Sequence, residues 1–252
     1  MTFLAALRKE WLEQWRTSRL VVLAAVLVFF GLTSPLLARY TPELIKLIPE
    51  GEAIAQAFPE PTVLDAVTQY VKNIGQFGVL LALLLTMGAV AQEKDKGTAA
   101  IMLVKPLPRA TFLAAKFAAL ALMFTGAIAL AGAACYYYTA LLFETLDLPQ
   151  WLALNGLMVV YVLVYIALTL FCSVATRSQA AAGGLAVGLL FALGLVGAIP
   201  GLGQYLPGQL LAWGGGLFMG ETGAYWPALG VSVGIIVLAL AGALLLFEKQ
   251  EL

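Results

Sequence analysis

Six long apolar runs limit what this chain can fold into. Each run holds about 19 residues or more, and a helix of that length, rising about 1.5 Å per residue, crosses the hydrocarbon core of a bilayer. No Asp, Glu, Lys, Arg or His lies near the middle of any run. We predict an all-α polytopic membrane protein, with one transmembrane domain over residues 1–252. The predicted spans are residues 20–38, 73–91, 117–143, 152–175, 180–199 and 228–247.

The composition agrees with this class and excludes several kinds of enzyme. Hydrophobic residues make up 62% of the chain and charged residues 11%, whereas a soluble domain is about half apolar and about a quarter charged. The absence of histidine excludes Ser-His and Cys-His nucleophile pairs and His-Glu-x-x-His zinc sites. The run Gly214–Gly216 is not followed by Gly-Lys-Ser/Thr, so it is no phosphate loop. We expect no catalytic residue, no metal site and no cofactor bound by this chain.

Lys and Arg residues are divided unequally between the two sides of the predicted spans. Eleven of the 14 lie on the side that holds both termini and residues 92–116, and three lie on the other side. The positive-inside rule therefore places both termini and residues 92–116 of this multi-pass protein in the cytoplasm. The eleven are Arg8, Lys9, Arg16, Arg19, Lys94, Lys96, Lys105, Arg109, Lys116, Arg177 and Lys249, and the three are Arg39, Lys46 and Lys72.

Residues 1–19 are predicted to form an amphipathic helix that lies in the membrane interface. Leu7, Trp11 and Trp15 recur at steps of four, which places them on one helical face. Arg8 and its polar neighbours cover the other face. Tryptophan and basic side chains both favour the headgroup layer. The alternative is the start of a secretory signal peptide, which two acidic residues and the lack of a clear small-residue cleavage site disfavour.

The only dense charged segment between two spans covers residues 92–110. It begins Gln92-Glu93-Lys94-Asp95-Lys96-Gly97-Thr98 and continues through Leu103 and Pro106 to Arg109. Adjacent charges are costly in hydrocarbon, so the segment must lie at or outside the membrane surface. We predict a short helix, ended by Pro106 and Pro108, on which another protein acts. Glu93 and Arg109 could pair with each other or with that partner. The simpler alternative is a solvated anchor between two spans.

Residues 200–227 join the last two spans and are rich in glycine yet largely apolar. A long apolar loop is unfavourable in water. Short helices that dip partway into the outer leaflet satisfy the backbone better when they pack against the spans. We predict a re-entrant hairpin here.

Taken in this order, these features resemble the type-2 (exporter-class) permeases of ATP-binding-cassette transporters. Three motifs carry the resemblance, which covers the whole chain. They are Glu93-x-x-x-Gly97-Thr98 with Leu103, Pro106, Arg109 and Lys116; Ser173-x-x-x-Arg177-Ser178 with Ala180–Ala182; and the ending Phe247–Leu252.

The resemblance implies a permease subunit that exports a substrate with ATP and Mg²⁺ bound by two copies of a separate, soluble ATPase subunit. It also implies a second permease copy, in a homodimer or a related heterodimer. A lipid membrane and no nucleic acid would complete the list of partners, and the organisation fits a bacterial or archaeal plasma membrane. Residues 3–16 would be an interface helix, and Gln92–Leu103 a coupling helix seated on the ATPase. The expected coupling residues are Glu93, Lys94, Asp95, Lys96, Gly97, Thr98, Leu103, Pro106 and Arg109.

Polar and small residues within the spans suggest further contacts. Gly183, Gly184 and Gly188 on the fifth span are candidates for a helix contact or for the contact with the second permease, because small residues let helices approach closely. Polar residues such as Asn155 and Thr169 are expected to hydrogen-bond between helices. Asn155 and Thr169 are also the candidates for a substrate path.

Two other functions remain open from the sequence. One is a membrane scaffold that recruits a cytoplasmic protein without moving a solute. The other is a passive channel, which the lack of a charged ring or a filter-like repeat disfavours. Proton-coupled transport is disfavoured because no ionisable residue lies at depth.

Overall fold

The computed structural model describes residues 2–49, 52, 59–97, 108–221 and 223–250. Within these ranges the chain is α-helical with no strand, and six helices are long and apolar enough to cross a membrane. The predicted fold class is therefore confirmed. The helices are α1 (Phe3–Arg16), α2 (Arg19–Ile45), α3 (Val63–Thr86), α4 (Ala91–Asp95), α5 (Arg109–Leu142), α6 (Leu148–Ala175), α7 (Gln179–Gly197), α8 (Gly208–Gly216) and α9 (Trp226–Lys249).

Several helices run beyond the predicted spans. α3 begins at Val63, well before residue 73, since Thr62 and Asp65 form a capping box in which the Thr62 N–H donates to Asp65 Oδ2 at 2.8 Å. α2 continues through Pro35 and Pro42 to Ile45. α5 begins at Arg109, well before residue 117.

The packed centre of the molecule is formed by α2, α3, α5 and α6. Leu27, Tyr70, Phe124 and Met158, one from each of these helices, are at most 1% exposed and belong to one apolar cluster. α2 and α5 approach very closely at Gly31, where an added Cβ would collide with the backbone carbonyl of Ala131. Small residues thus bring these two spans together, as expected for helices that pack in lipid.

The helices α7 and α9 pack mainly on α6, at the edge of this centre. Within α7, whose residues are all described, only Ala182 and Ala186 are buried. Large side chains of α7 such as Phe191 and Leu195 are exposed, as lipid-facing side chains would be. Most of the surface of α7 is therefore available to lipid or to another protein.

Residues 200–227 contain short helical pieces, as predicted. Two 3₁₀ turns, Gly203–Tyr205 and Leu217–Met219, flank α8. α8 packs on α6, where an added Cβ at Gly214 would collide with Leu154. The re-entrant position of this segment in a membrane stays a prediction.

The ends of several helices meet on the side of the molecule that holds α4, which we call the α4 face. Here α1 and the start of α5 lie beside α4, and the ends of α6 and α9 lie next to them. The other side is called the far face.

Replacing Gly31 tests the approach of α2 to α5. Gly31→Leu should lower the melting temperature, because overpacking costs about 1–3 kcal/mol. Gly126→Leu on α5 is the control, since a Cβ at Gly126 meets no atom within 4 Å. A thiol-reactive dye can follow melting in detergent, because Cys135 and Cys172 are both buried until the protein unfolds. Equal melting of the two variants would contradict the close approach.

Candidate functional site

The helix α4 is separated from α3 by a turn over residues 87–90, which a side chain of α6 holds in place. Ser173 Oγ accepts hydrogen bonds from the backbone N–H groups of Val90 and Ala91, both at 3.0 Å. The same hydroxyl donates to the Met87 carbonyl at 2.8 Å. Because a helix break leaves backbone groups without partners, these bonds stabilise the turn in a buried position. The direction of α4 is thus set by α6.

A buried ion pair joins α4 to α1 and α5. The ammonium group of Lys116 lies 2.8 Å from Glu93 Oε1 and 3.1 Å from Glu10 Oε2. The Lys116 side chain is 4% exposed, and those of Glu10 and Glu93 are 6% and 16% exposed. A charge in such a place must be paired, because leaving it alone in a poorly solvated position is costly. Lys116 therefore ties α1, α4 and α5 into one unit.

A second lysine extends the cluster towards solvent. Lys9 Nζ lies 2.9 Å from Glu10, 3.1 Å from Glu13 and 3.6 Å from Glu93. Burial alone would lower the pKa of Lys9, but its hydrogen bond to Glu10 and the surrounding carboxylates raise that pKa well above the ordinary value. Burial alone would also raise the pKa of Glu13, yet the charge of Lys9 lowers it below the ordinary value. Both groups stay charged at neutral pH.

Three carboxylates converge in this cluster. Glu10, Glu13 and Glu93 each bring an oxygen to within 4.8 Å of the others. The ammonium groups of Lys9 and Lys116 lie among these oxygens and balance most of their charge. We therefore assign the cluster to ion pairing between helices.

Lys94 of α4 contacts the carboxyl end of α6. Its ammonium group donates to the carbonyl oxygen of Val174, and it lies 3.5 Å from that of Thr176. The last carbonyl groups of a helix have no partner within it and carry the negative end of the helix dipole. A cation at this position supplies both a hydrogen-bond donor and a favourable charge.

Arg109, the first residue of α5, contacts the carboxyl end of α9 in the same way. Its guanidinium group donates to three carbonyl groups, those of Phe247, Glu248 and Gln250. The guanidinium carbon also lies 5.5 Å from the centre of the Phe247 ring, within reach of a cation–π contact. Lys94 and Arg109, at the two ends of the charged segment, thus each bind the carboxyl end of another span.

The predicted coupling residues divide into two groups in the structure. Glu93, Lys94 and Arg109 contact other helices of the chain. Asp95, Lys96 and Gly97 are exposed at the tip of α4. Thr98, Leu103 and Pro106 lie outside the described residues. The suggested pairing of Glu93 with Arg109 is wrong, because Glu93 lies beside Lys116 and Arg109 binds carbonyl groups of α9.

Gly97 follows the α4 helix with a backbone φ of 67°, in the left-handed region. Its N–H donates to the Lys94 carbonyl at 3.1 Å. This is the usual glycine stop at a helix end, where a Cβ would be strained. The backbone conformation at residue 97 therefore explains why this position of the motif is a glycine.

The residues of the predicted interface helix differ in their surroundings, and Trp11 packs against the central apolar cluster. Leu7 and Trp11 are half-buried, whereas Arg8 and Trp15 are exposed. The buried side of α1 carries Ala6, Glu10 and Gln14 instead. The packing contact of α1 thus combines polar and apolar side chains, while Leu4 and Trp15 are left exposed. The position of α1 in the membrane interface stays a prediction.

Sequence reasoning missed Glu10 and the structural role of Lys116. One available signal was the position of Lys116, which is the last charged residue before the third apolar run and has apolar neighbours on both sides. Another was the step of four from Ala6 to Glu10 and Gln14, which defines a second stripe on α1. Neither signal says which residue lies opposite, because the partners are about a hundred positions apart in the chain.

The candidates for a substrate path lie inside the packed bundle. Asn155 accepts a hydrogen bond from the Tyr70 hydroxyl at 2.7 Å and donates to the Trp151 carbonyl at 2.9 Å. Thr169 is 1% exposed, and its hydroxyl has no hydrogen-bond partner among the described residues. Their part in a substrate path stays a prediction.

The three glycines of α7 differ in their surroundings. A Cβ at Gly183 would lie 2.8 Å from Met87 Sδ, so this glycine contacts the end of α3 within the same chain. A Cβ at Gly184 or Gly188 would meet no described atom within 4 Å. Only the latter two lie on the open side of α7.

This architecture defines a multi-pass membrane protein in which a short surface helix is bonded to the ends of several spans. The family model described as "ABC-2 family transporter protein" matches residues 4–210. The chain belongs to this family and is a membrane component of a transporter. It is also 29% identical over 211 residues to the "Uncharacterized transmembrane protein YxlG" of Bacillus subtilis (strain 168), an alignment that covers 82% of this chain and 81% of that protein.

Replacing Lys116 tests the buried ion pair. Lys116→Met should destabilise the protein by about 3–5 kcal/mol, because two carboxylates lose their shared cation in a buried position. Lys9→Met is the matched control, with a side chain 40% exposed, and should cost about 1 kcal/mol or less. Melting in detergent measures both. A similar loss for the two variants would show that burial of the Lys116 pair contributes nothing special.

Replacing Ser173 tests the turn between α3 and α4. Ser173→Ala removes the partner of two buried N–H groups and should cost about 1–3 kcal/mol. Hydrogen exchange of the Val90 and Ala91 amides should become faster, while the amides in the middle of α3 keep their protection. Ser232→Ala is the control, because the buried Ser232 hydroxyl donates to Ala228 within its own helix. Unchanged exchange at Val90 and Ala91 would contradict the role of Ser173.

Proposed function

We propose that this chain is the permease subunit of an ATP-binding-cassette transporter, and that it moves a substrate outward across the plasma membrane. ATP and Mg²⁺ would bind to two copies of a separate soluble ATPase subunit. The family membership supports a transporter component. The observation that carries the finer proposal is that α4 combines an exposed charged tip with a base that is bonded to three other helices, α1, α5 and α6.

The exposed tip is the surface on which the ATPase would act. Asp95, Lys96 and Gly97 are all exposed, and the tip presents charges of both signs. Charged groups at the rim of an interface favour specificity and rapid association. The unequal distribution of Lys and Arg supports placing this face, with both termini, in the cytoplasm.

The base of α4 would transmit a movement of the tip to the spans. Glu93 is joined to α1 and α5 through Lys116, and Lys94 to the end of α6. Ser173 holds the turn over residues 87–90, which connects α3 to α4. Because bonded contacts of this kind resist separation, a push on α4 would move the attached helix ends together rather than bend a free loop. Reversal of charge at Glu93 would therefore disturb both this unit and its coupling.

A second permease, either a copy of this chain or a relative, would complete the path. We place it against the open side of α7, where Gly184 and Gly188 leave room for close helix packing. Gly183 is excluded from that contact because it packs on Met87 of its own chain.

Exchanging charges at the α4 tip tests the proposal. The double variant Asp95→Lys with Lys96→Glu keeps the net charge and the internal contacts, and should lose the ATPase during affinity purification in mild detergent. The control pair is Lys72→Glu with Glu144→Lys, two exposed residues of the far face, which should retain it. The recovered protein must carry a phosphate-loop sequence and hydrolyse ATP.

Two results would overturn the proposal. One is recovery of the chain without any ATPase from its native host. The other is equal ATPase recovery and equal ATP turnover for the α4 pair, the control pair and the unchanged chain.

A further inference from the structure

A cavity of about 520 Å³ lies between α3, α6 and α7 and is bordered at one end by the segment that precedes α8 and by the first residues of α8. It is nearer to the far face than to the α4 face, because its α7 lining is the end of that helix that leads into residues 200–227. Its volume falls within the range of about 300–1,000 Å³ that is typical of ligand sites. Neither Asn155 nor Thr169 lines it.

The polar groups of this cavity are uncharged. Gln76 and Gln209 contribute amides, and Tyr161 and Tyr165 contribute phenol groups, while the described lining includes no Asp, Glu, Lys or Arg. Gln76 is exposed and Gln209 half-buried, so both amides are accessible from the cavity. Polar groups at membrane depth require a partner. The lining therefore favours a ligand with hydrogen-bonding groups and no net charge.

Glycines create the space in this cavity. A Cβ at Gly194 or Gly208 would meet no described atom within 4 Å, so side chains at these positions would project into open room. At the end of the cavity, a Cβ at Gly203 would lie 2.6 Å from the Gly197 carbonyl oxygen. The cavity is thus open where Gly194 lies and closed where Gly197 and Gly203 meet.

An apolar gap lies on another side of α7. It measures about 440 Å³ and is lined by aliphatic side chains and Phe171 from α6, α7 and α9. Leu193 lines both this gap and the polar cavity. An apolar gap in a membrane is filled by hydrocarbon at little cost, whereas the polar cavity favours a hydroxylated group. The polar cavity and the apolar gap therefore border the same stretch of α7 around Leu193.

We propose that this chain binds an uncharged amphiphile whose head group carries hydroxyls, with the head group in the polar cavity and a chain against α7. A charged lipid would place its charge beside amides and phenols without a counter-ion, which is unfavourable. This binding is a property of the chain alone and does not depend on the proposed ATPase partner.

Native mass spectrometry with two defined lipids tests the site. The purified chain, without any ATPase, is mixed with monoglucosyl dioleoylglycerol or with dioleoyl phosphatidylglycerol, which share their acyl chains. The chain should retain the glucolipid in preference to the anionic lipid. Gly194→Leu fills the cavity and should weaken glucolipid binding by about tenfold or more. Gly230→Leu on α9 is the control, because Gly230 is equally open but does not line the cavity.

Gln76→Leu provides a second test that leaves the volume of the cavity nearly unchanged. Gln76 is exposed, so the variant should fold normally and lose glucolipid affinity several-fold through the missing amide. Equal retention of the two lipids by the unchanged chain would overturn the proposal, as would undiminished glucolipid binding in both Gly194→Leu and Gln76→Leu. Failure here leaves the permease proposal standing, since that proposal is measured through ATPase recovery.

Discussion

The α4 face depends on the shared contact of Lys116 with two carboxylates from separate parts of the chain. Glu10 precedes the first span and Glu93 follows the second, so one ammonium group fixes the relative positions of α1, α4 and α5. Such pairs gain little free energy over an apolar contact, because desolvation offsets the attraction. Their effect is on geometry, because this arrangement of the three helices brings Lys116, Glu10 and Glu93 together so that each buried charge has a partner.

The need of polar groups for a partner also explains how the other helix ends are arranged. Lys94 and Arg109 lie at the two flanks of the segment between the second and third spans, and each covers the carbonyl end of a different span. Helix ends at a membrane surface need donors for their last carbonyl groups. These donors connect the end of α6 to α4 and the end of α9 to the start of α5.

The spans could be predicted from sequence because apolar length and the absence of charge act locally. The unequal distribution of Lys and Arg can also be read directly from the sequence, and it predicted that both termini and residues 92–116 lie on the same side of the membrane. The partners of Glu93 and Arg109 could not be predicted, since either residue had several acceptable partners and only the packing of α1 and α9 selects among them. The buried side of α1 was missed because Glu10 looks like a solvent-facing residue until Lys116 lies opposite it. The polar cavity beside Gly194 was missed because the sequence does not show where α7 stands apart from α3.

The loose packing of α7 has a mechanical consequence. A helix whose large side chains mostly face outward exchanges protein contacts for lipid contacts at little cost, because hydrocarbon tails are about as apolar as those side chains. α7 can therefore tilt or slide with a smaller energetic barrier than α3 or α6, whose movement would open the packed centre. Of the six spans, α7 is therefore the one best suited to move while the packed centre keeps its arrangement.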